Sequence, residues 1–172
     1  MALPAAPRRR NTDPVVEVTP QLVVRPLTIE DGMDIAMWRY PGPWAVYDAL
    51  EAPRPDEGYW AVCDDGDRLV GFCCLGDAAR PVGLEPDPGA LDVAIGVRPD
   101  LTGQGLGSEV GRKAVDYARQ VSDGRRLRCA VRDWNHAGLE AARQASFVEV
   151  GEHAVEGQRY LVLEVPVHAG HN

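Results

Sequence analysis

The chain has 172 residues, 45% of them hydrophobic and 26% charged, and a formal net charge of −8. That length and composition suit one globular domain with its own core and exclude a disordered chain; the acidic balance argues against a nucleic-acid partner, because a phosphate backbone calls for a basic footprint. Cys63, Cys73, Cys74 and Cys129 form no C-x-x-C pair or zinc-like spacing, so no metal is expected, and no run approaches the roughly 18 apolar residues of a membrane span.

The start, "MALPAAPRRRNTDP", lacks the apolar core of a signal peptide, so the expectation is a soluble, cytoplasmic protein with no membrane partner. Residues 1–20, with Pro4, Pro7, Pro14 and Pro20 around the triplet Arg8, Arg9 and Arg10, read as a disordered tail, and 21–168 as the folded domain.

"QLVVRPL", Gln21 to Leu27, has strand character, and Thr28 then offers an N-cap for a helix over "IEDGMDIAMWRY", with Asp31 closing a capping box. A short helix bounded by prolines is expected around Trp44 to Leu50. Tyr59 to Cys63 and Arg68 to Leu75 alternate as two hairpin strands around "DDGD". A Pro- and Gly-rich loop follows, and then a buried-type strand, Ala90 to Val97. "SEVGRKAVDYARQV" places Val110, Ala114, Val115, Ala118 and Val121 on one helical face. "RRLRCAVRD" reads as a strand, "NHAGLEAARQA" as a helix, and "FVEVGEHA" with "QRYLVLEV" as a terminal strand pair. That pair could extend between subunits and make a homodimer.

Between the Ala90–Val97 strand and its following helix stand Gly103, Gly105 and Gly107. A strand feeding a Gly-rich turn into a helix N-terminus converges free backbone N–H groups and a partial positive charge on one point, which is an anion site. One glycine would serve a tight turn; three at alternate positions point to a phosphate cradle. A dinucleotide fingerprint wants G-x-G-x-x-G, yet Ser108 takes the third position and an antiparallel hairpin precedes the turn. A P-loop is excluded because no Gly-Lys-Ser/Thr follows.

The stretch "VRPDLTGQGLG" resembles the pyrophosphate motif R/Q-x-x-G-x-G/A of the GNAT acetyltransferase superfamily, which follows a strand ending in V-x-P. Gly105 and Gly107 match the motif glycines, Gly103 is the usual extra one, and Thr102 stands where the family has Arg or Gln. "NHAGLEAARQASF" resembles the second signature, N-x-x-A-x-x-x-Y-x-x-x-G-F, through Asn135 and Phe147, while Gly138, Ala142 and Ser146 replace its Ala, Tyr and Gly. The resemblance spans roughly Leu22 to Val167 and implies a single α/β domain with a mixed, centrally antiparallel sheet flanked by helices.

It further implies acetyl-CoA as co-substrate and acetyl transfer to a small-molecule or peptide amine. Gly103, Gln104, Gly105, Leu106, Gly107 and Ser108 would take the pyrophosphate, the Val97 N–H the acetyl carbonyl, and Asn135 the pantetheine arm. Asp92, on the strand that runs toward the thioester, is the candidate base for the attacking amine. Ala142 leaves the usual tyrosine acid unfilled, and the role passes to no named residue: Tyr117 or Tyr160 could substitute, each reading first as packing, and a CoA thiolate can also leave without a protein acid. Trp38, Tyr40, Trp44 and Tyr47 cluster as an acceptor cage, with Asp48 and Glu51 suited to an amine. The alternative is a CoA-binding sensor or scaffold without catalysis, and a dinucleotide-binding domain stands third.

Overall fold

The computed structural model describes residues 21–102 and 105–166. The expected tail at 1–20, Gly103, Gln104 and the last two residues of the expected domain, 167 and 168, lie outside the described residues.

The elements run β1 (Val23–Pro26), α1 (Ile29–Ala36), β2 (Tyr59–Cys63), β3 (Leu69–Leu75), β4 (Ala90–Val97), α2 (Leu106–Val121), β5 (Arg126–Arg132), α3 (His136–Gln144), β6 (Val148–Val155) and β7 (Gln158–Val165). The sheet has seven strands in the order β1-β2-β3-β4-β5-β7-β6. Every pairing is antiparallel except β4 with β5, because α2 carries the chain across the sheet as a crossover between those two strands. The expected single α/β domain with a mixed sheet flanked by helices is what the chain adopts; the sheet is mostly antiparallel, and its one parallel pair, β4 with β5, lies at the centre.

Alternation within each strand assigns the two faces. One face of β3, β4, β5 and β7 presents Cys73, Leu91, Val93, Leu127, Leu163 and Val165 to Ala114, Val115 and Ala118 of α2, Leu139 of α3 and Phe147. Four of the five residues expected on the buried face of α2 are buried, and Val121, in its last turn, is 40% exposed. The opposite face of β2 and β3 carries Ala61, Cys63, Leu69, Tyr59 and Phe72 against Ile35 of α1, Leu27 and Trp38. Thus α1 lies on one side of the sheet, and α2 and α3 lie on the other.

The capping box forms as expected: Asp31 N–H donates to the Thr28 hydroxyl at 3.1 Å, and Thr28 N–H donates to the Asp31 carboxylate at 2.8 Å. The helix stops at Ala36 rather than at Tyr40. Pro41 restricts Tyr40 to extended backbone, and Trp38 turns inward, its indole N–H donating to Asp34 at 3.1 Å. The short helix expected near Trp44 is a 3-10 turn over Gly42–Tyr47.

Candidate active site

The parallel ladder between β4 and β5 covers only Ala90↔Arg126, Leu91↔Leu127 and Asp92↔Arg128. Beyond it both strands continue, β4 to Val97 and β5 to Arg132, without pairing, so the sheet splits toward the C-terminal ends of its two central strands. The second half of β4, expected to be buried throughout, is therefore only partly covered, and Ile95 is 39% exposed.

Backbone polarity in the split follows from the register of β3 and β4. Arg98 N–H donates to Val70 and Gly76 N–H to Asp92, so residues 92, 94, 96 and 98 turn their N–H and C=O groups to β3. Residues 93, 95 and 97 turn theirs the other way, Val93 toward the last rung of the β4–β5 ladder and residues 95 and 97 into the split. The Val97 N–H, expected as the donor to an acyl oxygen, thus faces the opening. Gly96 matters beside it: a Cβ there would lie 2.1 Å from the Phe72 ring, so only glycine lets that ring lie across the strand.

On the α2 side the opening meets an uncapped helix N-terminus. Gly105 is the N-cap with φ of 76°, in the left-handed region, and makes no side-chain capping bond. A Cβ on Gly105 would meet nothing within 4 Å, and one on Gly107 would meet only the Val97 Cγ2 at 3.9 Å. Among the described residues, then, no side chain caps the first turn of this 16-residue helix, and the glycine positions beside it stay open. Glu109, the acidic residue of the first turn, is paired with Arg112 at 2.7 Å. Leu106, Gly107 and Ser108 are all in this first turn, and the arrangement suits a pyrophosphate. Gly103 and Gln104 lie outside the described residues.

On the α1 side lies a cavity of about 470 Å³ lined by Ile35, Trp38, Tyr40, Tyr47, Tyr59 and Phe72, by Glu57, and by the loop from residue 49 to 53. Three of the four expected acceptor aromatics are brought together here. Trp44 is not among them; it packs edge-on against Trp134, with ring centroids 5.3 Å apart. Trp38 is 5% exposed and serves as core and cavity floor at once, stacked against Phe72 and beneath the Arg98 guanidinium. Arg98 in turn pairs with Asp34 and donates to the Leu69 carbonyl, tying α1 to the end of β4. Asp48, expected to face an amine, instead accepts from the Tyr40 N–H at 2.8 Å and holds the loop in place.

The segment from Tyr40 to Tyr47 joins the cavity to both lips of the split. At β4 the Tyr40 hydroxyl donates to the Val97 carbonyl at 2.7 Å; burial, then the Asp48 charge, push that hydroxyl up to about 12. At the end of β5 the Asn135 amide donates to the Tyr47 hydroxyl at 2.9 Å, and the Arg132 guanidinium lies over the Tyr47 and Tyr160 rings. Burial raises the Tyr47 hydroxyl too, against the opposing pull of Asn135 and Arg132.

Asn135, expected at the pantetheine arm, is the N-cap of α3, its side-chain oxygen accepting from Gly138 N–H at 2.8 Å. Ala142 packs against the main core, where a tyrosine hydroxyl would need another route to the split. Tyr117 packs on Trp60 at 4.8 Å. Sequence reasoning missed Tyr59, Phe72, Glu57 and Trp134 because each reaches the site from a strand or turn distant in sequence; strand alternation of Tyr59 and Phe72 onto the α1 face was the one available signal.

Asp92 is at the closed end of the split, five residues or roughly 16 Å before Val97 along the strand. It is 4% exposed. Its carboxylate accepts from Arg128 at 2.6 and 3.1 Å and from Arg80 at 3.1 Å. That placement runs against the expected general base: three donors from two arginines occupy the group, which lies away from the opening. Asp92 and Arg128 are also the last rung of the β4–β5 ladder.

Among the described residues no group of His, Cys, Asp and Glu suits a metal ion, and no helix is long and apolar enough to cross a membrane. The Acetyltransferase (GNAT) family profile matches residues 29–147. Solved structures share the fold at low identity. A spermidine N-acetyltransferase chimera of Vibrio cholerae SpeG and hSSAT is 16% identical, covering 85% of this chain and 95% of that one at a TM-score of 0.64. A GNAT-family acetyltransferase from Bacillus anthracis is 11% identical over 84% and 94% at 0.64. The Salmonella typhimurium protein yncA, described as an acetyltransferase and solved with its cofactor acetyl-CoA, is 14% identical over 87% and 95% at 0.60. No curated protein sequence matches the chain. With the split sheet, the uncapped glycine turn and a profile match over most of its length, the chain belongs to the GNAT family of acetyltransferases, acyl-CoA-dependent enzymes whose acyl donor is acetyl-CoA.

Proposed function

We propose that the protein transfers an acetyl group from acetyl-CoA to the primary amine of an acceptor seated in the α1-side cavity, by direct attack. The observation that carries this is the junction at Val97: one backbone position borders both the split beside the α2 N-terminus and, through Tyr40, the aromatic cavity. Neighbours named for spermidine N-acetyl transfer act on an amine, which supports the acceptor class.

When bound, acetyl-CoA supplies an activated acyl group and a thiolate leaving group. The N–H groups of Leu106, Gly107 and Ser108, with Gly103, Gln104 and Gly105 of the turn, would hold its pyrophosphate. The Val97 N–H, fixed by the β3–β4 register, stabilises negative charge developing on the acyl oxygen. Tyr40, Tyr47 and Trp38 orient the amine, so that much of the rate comes from holding two reactants together. Asp92 belongs to the scaffold rather than to proton transfer, and the amine's proton passes to water in the opening. Tyr40, kept protonated by burial, holds the Val97 carbonyl, and the departing thiolate, the anion of a moderately weak acid, takes its proton from water in the opening. Asn135, at the end of β5, would border the pantetheine arm from the lip opposite Val97.

Thermal melting with acetyl-CoA and with NAD tests the donor, since selective binding to the folded state raises the melting temperature. Stabilisation by acetyl-CoA alone, followed by amine-dependent thiol release, is the expected result. No shift with acetyl-CoA would refute the proposal. A shift without thiol release for any amine would favour the non-catalytic CoA-binding alternative.

A further inference from the structure

Resting on that reading, we infer that the α1-side cavity selects acceptors carrying a second, non-reacting positive charge on a short apolar body, the chemistry of a compact diamine. The lining is one-sided in charge. Its ionisable side chains, apart from tyrosine, are Glu51 and Glu57, and no Lys, Arg or His contributes to it. Arginines that could neutralise these acids are committed elsewhere. Arg54 pairs with Asp56, Arg98 with Asp34, and Arg39 donates to the carbonyls of Ala36 and Trp38. Glu57 accepts only a long bond, 3.3 Å, from the Arg54 N–H, and Glu51 has no hydrogen bond or ion pair among the described residues.

Two carboxylates hold more negative charge than the single reacting nitrogen calls for. A carboxylate beside an amine favours its charged form, and a protonated amine has no lone pair for attack. The acids therefore suit a different nitrogen on the same molecule, which stays protonated and anchors it. The faces of Trp38, Tyr40, Tyr47 and Tyr59 add attraction for a cation. Between the two nitrogens an alkyl spacer finds Ile35, Phe72 and Leu50, the last wholly exposed on the cavity's rim. A volume of about 470 Å³ is ample for such a body.

Calorimetry on the protein saturated with CoA, which binds without turnover, tests the inference. The α,ω-diamines of propane, butane and pentane are titrated, each beside the n-alkylamine of matching length. At least one diamine should bind about tenfold tighter than its monoamine, a gap of about 1.4 kcal/mol. The gap should shrink to within about twofold in the double variant Glu51→Gln/Glu57→Gln and narrow when salt rises from about 0.05 to about 0.5 M. Both glutamates are exposed, so the variant keeps its fold. Diamines binding no better than monoamines, or not at all, would overturn the inference, as would an advantage that survives the double variant. Failure of the acyl-donor reading shows separately, as absence of heat with CoA; the amine comparison is then run on the protein alone and is decided by the same criteria.

Discussion

The hydroxyl of Tyr40 donates to the backbone carbonyl of Val97 at 2.7 Å, joining a loop residue to one 57 positions away on the stretch of β4 that pairs with β3 but no longer with β5. Removing that hydroxyl in Tyr40→Phe leaves the ring packed. Acetyl transfer should fall about five- to tenfold, the scale of one hydrogen bond, while acetyl-CoA affinity stays within about twofold. Because the hydroxyl is pushed up to about 12, Tyr40 stays protonated through the neutral and mildly alkaline range and should add no limb to the rate profile there. A limb well below that value, lost in Tyr40→Phe, would show that this account of Tyr40 is wrong.

Gly107→Ala separates the ligand's space from the protein's. The added Cβ would meet only the Val97 side chain at ordinary contact distance, and alanine is the better helix former, so the melting temperature should not drop. Acetyl-CoA affinity should fall by about tenfold, about 1.4 kcal/mol. Gly105→Val should abolish acetyl-CoA binding in a folded protein, because φ of 76° strains a branched side chain. Unchanged affinity in both by calorimetry would place the pyrophosphate elsewhere.

Asp92→Asn should behave as a scaffold variant. Arg128, 7% exposed, would lose its buried counter-charge, a change that costs about 3–5 kcal/mol. Urea denaturation should register that loss, while turnover per folded molecule stays within about twofold. The reverse pattern, intact stability with turnover gone, would restore Asp92 as the base.

Ser146 has φ of 72°, just past the end of α3, where a left-handed residue closes a helix and glycine is favoured. Ser146→Gly should raise stability by about 1 kcal/mol, with no change in acetyl transfer. A loss of stability in chemical denaturation would mean that the serine makes a compensating contact.

That serine also marks how far the sequence could be read. Strand and helix identities followed from alternation and helical spacing, so β4 and β7 have the bounds expected of them. The glycine turn was legible because glycine's chemistry is local. The partners of Asp92 were not legible, for the opposite reason: a lone acid on a strand reads the same whether it faces solvent or a pair of arginines, and Arg80 and Arg128 reach it only through the fold. Trp44 and Tyr47 are three residues apart and were grouped together, yet only Tyr47 lines the cavity. Trp134, from the far side of the sheet split, packs against both rings, 5.3 Å from Trp44 and 5.9 Å from Tyr47.

The split also gives this sheet a raw edge at its centre rather than only at its rims. Residues 95 and 97 offer donors and acceptors with no strand beside them on that side, the kind of surface that recruits foreign strands. The Tyr40–Tyr47 segment screens part of it, through a single bond to Val97 on one lip and Asn135 on the other. An amide-bearing ligand in the groove would complete the screening. Storage with CoA should therefore suppress self-association of the purified protein as well as raise its melting point.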